Sequence, residues 1–149
     1  MLKPRITNKR MAGKDHAVLT LEGQDKKRAR PSPCPECPWR KDAVGVFPAE
    51  AFKHSAPTGY DVPELIAKGI TPSTFACHAQ GSNKPADCAG FLLSQSAAHN
   101  LALRMRTGKP PKVANPEGLD LFQDYYQMAV ANGVPPDDPS ITPCWRART

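Results

Sequence analysis

The segment Pro31-Ser32-Pro33-Cys34-Pro35-Glu36-Cys37-Pro38-Trp39-Arg40 decides how the rest of the chain is read. Its four prolines forbid a regular helix or a central strand, because each removes a backbone donor and locks φ. Something other than a backbone ladder has to order it, and the two cysteines supply a means. Two cysteines separated by two residues in a tight turn bring their sulfurs about 3.5 to 4 Å apart, which suits a tetrahedral ion at Zn–S distances of roughly 2.3 Å. A tetrahedral site needs two more ligands, and Cys77 and Cys88 are the natural pair. His78 competes with Cys77, since neighbours on an extended strand point to opposite faces. His99 stands too far from Cys88 to share an ion, at about 16 Å along a helix. The expected centre is therefore Cys34, Cys37, Cys77 and Cys88, with His78 as competing ligand and zinc as the metal. An iron–sulfur cluster on the same four thiolates is the alternative. Two further readings are ordinary buried thiols, since free cysteine is commonly a small core hydrophobe, and a thioredoxin-type redox pair at Cys34 and Cys37. The latter wants a strand leading into the first cysteine, and the surrounding prolines supply none.

Outward from this segment, the whole chain has 149 residues, 17 Pro, five Cys and a formal charge of +6. That length makes one modest core. Residues 1–31 hold nine Lys and Arg against three acids, whereas residues 32–149 balance eleven against eleven, so the entire excess lies in an N-terminal arm. A uniformly basic nucleic-acid binder is thereby excluded. Neither a membrane span nor the apolar core of a secretory signal is visible, so the chain reads as soluble and cytoplasmic. In that compartment five cysteines point to metal ligation before disulfides.

The expected fold is a small α+β, loop- and Pro-rich one, with a metal-stabilised core, two main helices and short strands. Residues 1–31 are read as a basic arm with one strand at Ala17–Leu21, residues 32–108 as the Cys-rich core, and residues 109–149 as a Pro-rich loop, a second helix and a tail. Met1–Asp15 has no period and is read as a mobile arm. Short helices are expected at Pro48–His54 and Val62–Gly69, and an extended piece at Thr74–His78. The main helices are a twenty-residue one from Cys88 to Gly108, capped by Asp87, and a second over Leu119–Asn132. A chain with so much proline buries little apolar surface, which gives a structural metal more to do. The only internal echo sets Cys37-Pro38-Trp39-Arg40 against Pro143-Cys144-Trp145-Arg146.

Pro33-Cys34-x-x-Cys37-Pro38-Trp39-Arg40, Phe75-x-Cys77-His78, Cys88-Ala89-Gly90-Phe91 and Asn100-Leu101-Ala102-Leu103-Arg104 together resemble a small Cys-rich family of unknown function from bacteriophages and actinobacteria. The resemblance spans about residues 31–108 and leaves outside it the arm, the Tyr125-Tyr126 helix and the Cys144 tail. It implies a compact metal-binding core built from Cys34, Cys37, Cys77 or His78, and Cys88, and it implies no activity. The function expected is that of a non-enzymatic, metal-stabilised accessory protein of phage type that binds a host macromolecule, a protein ahead of nucleic acid. Trp39 and Arg40 are candidate partner contacts if exposed; otherwise Trp39 caps the core and Arg40 pairs with an acid. Lys26, Lys27, Arg28 and Arg30 are candidate phosphate contacts, backbone-directed and salt-sensitive because no aromatic residue precedes Trp39. Asp15-His16 superficially resembles the strand of a His-Me finger nuclease, but the downstream Asn and His are poorly spaced. Phosphate-loop, Gly-x-Ser-x-Gly and His-Glu-x-x-His motifs are absent from the sequence.

Overall fold

The structure, a computed structural model, describes residues 5–11, 17–22, 29, 31–76, 86–106 and 112–147, the first two stretches as backbone only. Strands β1 (Arg5–Met11) and β2 (Ala17–Glu22) form an antiparallel pair, with Ile6 opposite Leu21, Lys9 opposite Leu19 and an irregularity between Ile6 and Asn8. β2 is the strand expected from its alternation. β1 corrects the reading of Met1–Asp15 as an arm without structure. Its partner's main-chain groups need a ladder, and that pairing leaves no mark on a polar side-chain pattern.

Helices α1 (Ala49–Ser55) and α2 (Val62–Lys68) fall where the sequence puts them. The Asp61 carboxylate caps α2, and Gly69 ends it in the left-handed region at φ 63°, a conformation glycine adopts without a Cβ penalty. The long helix from Cys88 does not form. In its place stand α3 (Ala89–Leu93), α4 (Gln95–Ala98) and α5 (Leu101–Arg104). Ser94 breaks the first junction by turning extended, its N–H and hydroxyl both bonded to the Phe91 carbonyl at 2.9 and 2.6 Å. Asn100 breaks the second. Its Oδ1 accepts from Leu103 N–H, and its Nδ2 donates at 2.9 Å to the carbonyls of both Thr58 and Ser73. Serine and asparagine bond to nearby backbone in competition with helix, and here Asn100 ties three segments together. Cys88, not Asp87, is the N-cap of α3. The buried Asp87 carboxylate instead accepts from Thr74 Oγ1 at 2.8 Å and pairs with the Arg106 guanidinium.

The second main helix is likewise shorter than expected. α6 covers Tyr125–Ala131, capped by the Asp124 carboxylate, which accepts from Gln127 N–H at 2.8 Å. Residues 119–124 stay out of the helix because 120–122 pair elsewhere. Leu121 bridges Arg40, Lys41 N–H donates to Asp120 O at 3.0 Å, and Phe122 N–H donates to Trp39 O at 2.9 Å. The proline-rich segment is thus fastened by main-chain bonds that its sequence could not reveal.

Trp39, Phe91, Tyr125, Met128 and Ile141 fill the centre of one core that draws on both the Cys-rich segment and the C-terminal one. Trp39 meets Phe75 and Tyr125 edge-on at ring-centroid distances of 5.8 and 6.0 Å, geometry that aromatic quadrupoles favour. This core is larger than the proline content suggests. Across it, Tyr60 bridges Cys144, Asp61 N–H donates to Pro143 O at 3.0 Å, and Trp145 N–H donates to Gly59 O at 2.9 Å. Among the described residues no helix is long and apolar enough to cross a membrane.

Candidate functional site

The turn Cys34-Pro35-Glu36-Cys37 closes with Cys37 N–H on Cys34 O at 3.1 Å, and a second turn follows with Arg40 N–H on Cys37 O at 3.0 Å. Proline at the second position presets φ for such a turn. The other side of the site comes from the start of α3. Ala76 bridges Asp87, and Cys88 N–H donates to Phe75 O at 2.9 Å, which fixes Cys88 beneath the turn. The Sγ atoms of Cys37 and Cys88, 51 residues apart in sequence, lie 3.5 Å from each other.

Gly90 allows this approach. A Cβ there would stand 2.7 Å from Cys37 Sγ and 2.6 Å from Trp39 Cβ, closer than packed atoms come. The first turn of α3 therefore lies directly against the thiol. Its backbone N–H and that of Trp39 both hydrogen-bond to the Cys37 sulfur. The hydrogen bond with Cys88 does most to lower the Cys37 pKa, from 9.0 to about 7. The two N–H donors and the Arg40 charge act in the same direction, and burial opposes them. Arg40 spans the turn, with Nη1 on Cys34 O at 3.3 Å and Nε and Nη2 on the Asp42 carboxylate at 2.8 and 2.7 Å.

Cys34, Cys37 and Cys88 share the one buried cluster, and none of them forms a disulfide. Cys77 and His78, the other expected ligands, lie outside the described residues, as do Lys26, Lys27, Arg28 and Arg30. Among the described residues no three His, Cys, Asp or Glu side chains gather closely enough to hold one ion. The donors shown in contact are therefore Cys37 and Cys88. Their separation fits two corners of a tetrahedral thiolate site, whose S–S edge is about 3.8 Å.

Trp39 is corrected as a partner contact. It is 0% exposed and sits at the middle of the core. Its indole N–H has no hydrogen-bond partner among the described residues. Arg40 remains half-buried and engaged with Asp42, the core-capping alternative for this pair of residues. Sequence reasoning missed the roles of Gly90, Asp87 and Arg106. A glycine two residues after a cysteine in a helical first turn was a readable signal for the first. Arg106 carried none, because its partner Asp87 reads equally well as a helix cap.

Residues 29–146 match the model of a family described as a family of unknown function, DUF6283. The match runs past residue 108 and takes in α6 and Cys144–Arg146, which the sequence resemblance leaves outside. No curated protein and no solved structure matches the chain.

Proposed function

The chain belongs to this family, and from the thiol pair at its centre we propose that the protein is a non-enzymatic binding module whose core is closed by one structural zinc ion. In this reading Cys37 and Cys88 supply the two corners already in contact, and Cys34 and Cys77 would close on the ion as the remaining ligands, with His78 as the competitor for the place of Cys77. The observation that carries this reading is the 3.5 Å approach of Cys37 and Cys88 from distant segments. The N–H groups of Trp39 and Gly90 on the Cys37 sulfur support it. Such donors stabilise a thiolate, the form that binds metal, and occupy the outer shell of a thiolate site. When bound, the ion supplies a crosslink between the proline-rich turn and α3. An iron–sulfur cluster would use the same cysteines.

Elemental analysis with an absorption spectrum of the anaerobically purified chain tests the site. One zinc per chain without a visible band is the expected result, a band near about 400 nm replaces zinc by a cluster, and no metal overturns the proposal. Gly90→Ala sharpens the test, since its methyl group would push on Cys37 Sγ and is expected to weaken metal retention. Gly59→Ala serves as its control. It crowds Tyr125 Cβ at 2.3 Å and is expected to lower stability while leaving the metal in place.

The partner in this reading is a host protein, favoured by the charge-neutral body of residues 32–149, and the phage-type accessory setting is carried over from the sequence resemblance. The +6 charge of residues 1–31 favours a second reading, contact with nucleic-acid phosphates through Lys26, Lys27, Arg28 and Arg30. Binding that falls steeply with salt and vanishes on deletion of residues 1–31 would establish it, and indifference to both would exclude it.

A further inference from the structure

We infer that Cys37 and Cys88 form a site of reversible oxidation, a disulfide that takes over the metal's fastening role when a small peroxide reaches the core. The metal part of this statement rests on the proposed zinc site, whereas the disulfide itself rests on the geometry of the two thiols.

The two sulfurs already touch at 3.5 Å. A disulfide needs about 2.05 Å, so each side chain has to move by less than about 1 Å. The two residues come from segments that the fold holds rigidly together, Cys37 by the bonds of Trp39 and Arg40 to the 120–122 segment and Cys88 by its bond to Phe75. Gly90 has no Cβ to crowd the Cys37 sulfur. Burial narrows the oxidant: with Cys37 1% and Cys88 3% exposed, a protein thiol or glutathione disulfide is too large to meet either sulfur in the closed fold, and the reaction calls for a small peroxide that enters when the core opens locally.

The Cys37 sulfur, held by the N–H groups of Trp39 and Gly90, attacks one peroxide oxygen. The O–O bond breaks, and the departing hydroxide takes a proton to become water, leaving Cys37 as a sulfenic acid. The Cys88 sulfur then attacks the Cys37 sulfur. The S–S bond forms, the S–O bond breaks, and the second hydroxide leaves as water with the Cys88 proton, or with a proton from solvent where Cys88 enters as a metal-bound thiolate. Overall, two thiols lose two electrons and two protons, and one peroxide becomes two waters. Two ligands are removed from the metal at the same step, so the ion leaves while the turn remains tied to α3 by a covalent bond.

The test uses the full chain, purified anaerobically with its metal content measured, then titrated with hydrogen peroxide and mapped without reduction. The expected product is lighter by two hydrogens, and fragment ions assign the bond to Cys37 and Cys88. Zinc is released in step with the bond, and dithiothreitol in mild denaturant, followed by refolding with zinc, reverses both changes. Cys34→Ser is expected to keep the bond and Cys88→Ser to abolish it. If peroxide joins Cys34 to Cys37 instead, or carries Cys37 to sulfinic acid without any crosslink, the inference is overturned. A chain that carries no metal when reduced but forms the Cys37–Cys88 bond overturns the zinc proposal and upholds this one.

Discussion

Cys37-Pro38-Trp39-Arg40 and Cys144-Trp145-Arg146 use nearly the same residues, and the fold gives them opposite chemistry. Cys37 meets a second thiol and two N–H donors, and its pKa falls to about 7. Cys144 is equally enclosed, but among the described residues its sulfur donates to the Ala56 carbonyl, at 3.7 Å, and burial pushes its pKa up to about 12. Trp39 is the centre of the core, whereas Trp145 lies half-buried and stacks on His99 with a 3.9 Å centroid distance. Arg40 grips Asp42 in two hydrogen bonds, whereas Arg146 lies over the Tyr126 ring at 3.9 Å. Burial alone makes a cysteine inert. A neighbouring sulfur and donors aimed at the thiolate make it a ligand or a redox group.

Removing the proposed metal is the harshest way to test this contrast. A structural zinc contributes apparent binding energy on the order of 10 kcal/mol. Chelation is therefore expected to make the first segment open more often, though it stays mostly closed, while the second holds. Amide exchange should accelerate at Lys41 and Phe122, whose bonds fasten the turn, and stay slow at Asp61 and Trp145. Equal acceleration at both ends would erase the distinction.

The tryptophans give the next largest effect. Trp39→Ala is expected to cost about 3 to 5 kcal/mol in denaturant unfolding, as for a large buried aromatic. Trp145→Ala should cost about 1 kcal/mol, the scale of a ring pair that is partly solvated. Similar costs for both would mean that the C-terminal stack belongs to the core.

The pH dependence of the metal-free chain is smaller and has opposite signs at the two sites. Cys37 has a folded pKa near 7 against 9.0 when unfolded. The unfolded chain thus binds more protons in between, and stability rises from about pH 7 to pH 9, by about 2 kcal/mol. This contribution is complete above pH 9 and is lost as pH falls through 7. Cys144 is protonated in the fold up to about 12, so its contribution is present below pH 9 and declines as pH rises beyond it. Cys37→Ser should remove the rising limb and Cys144→Ser should soften the falling one, each read from midpoints of urea unfolding across pH.

Much of the fold's punctuation was legible in the chain. α1 and α2 carry proline early, and α2 ends on the Gly69 stop, signals that act over a few residues and so survive any tertiary setting. The break at Ser94 and the one at Asn100 were not legible, because Asn100 leaves the helix to bond Thr58 and Ser73, residues distant in sequence. The non-helical run before α6 has the same cause. An apolar stripe over Leu119–Asn132 reads as helix, but Leu121 and Phe122 are needed beside Arg40 and Trp39.

By itself the sequence determined the proline-rich Cys-x-x-Cys turn and the confinement of the excess charge to residues 1–31. Those properties follow from local backbone restriction and from composition. Only the tertiary structure decided that Cys37 meets Cys88, that Gly90 makes room for the meeting, and that Trp39 is core while Trp145 is rim. The reason is physical. A sulfur's chemistry depends on what lies within about 4 Å of it, and for Cys37 that neighbour arrives from 51 residues away.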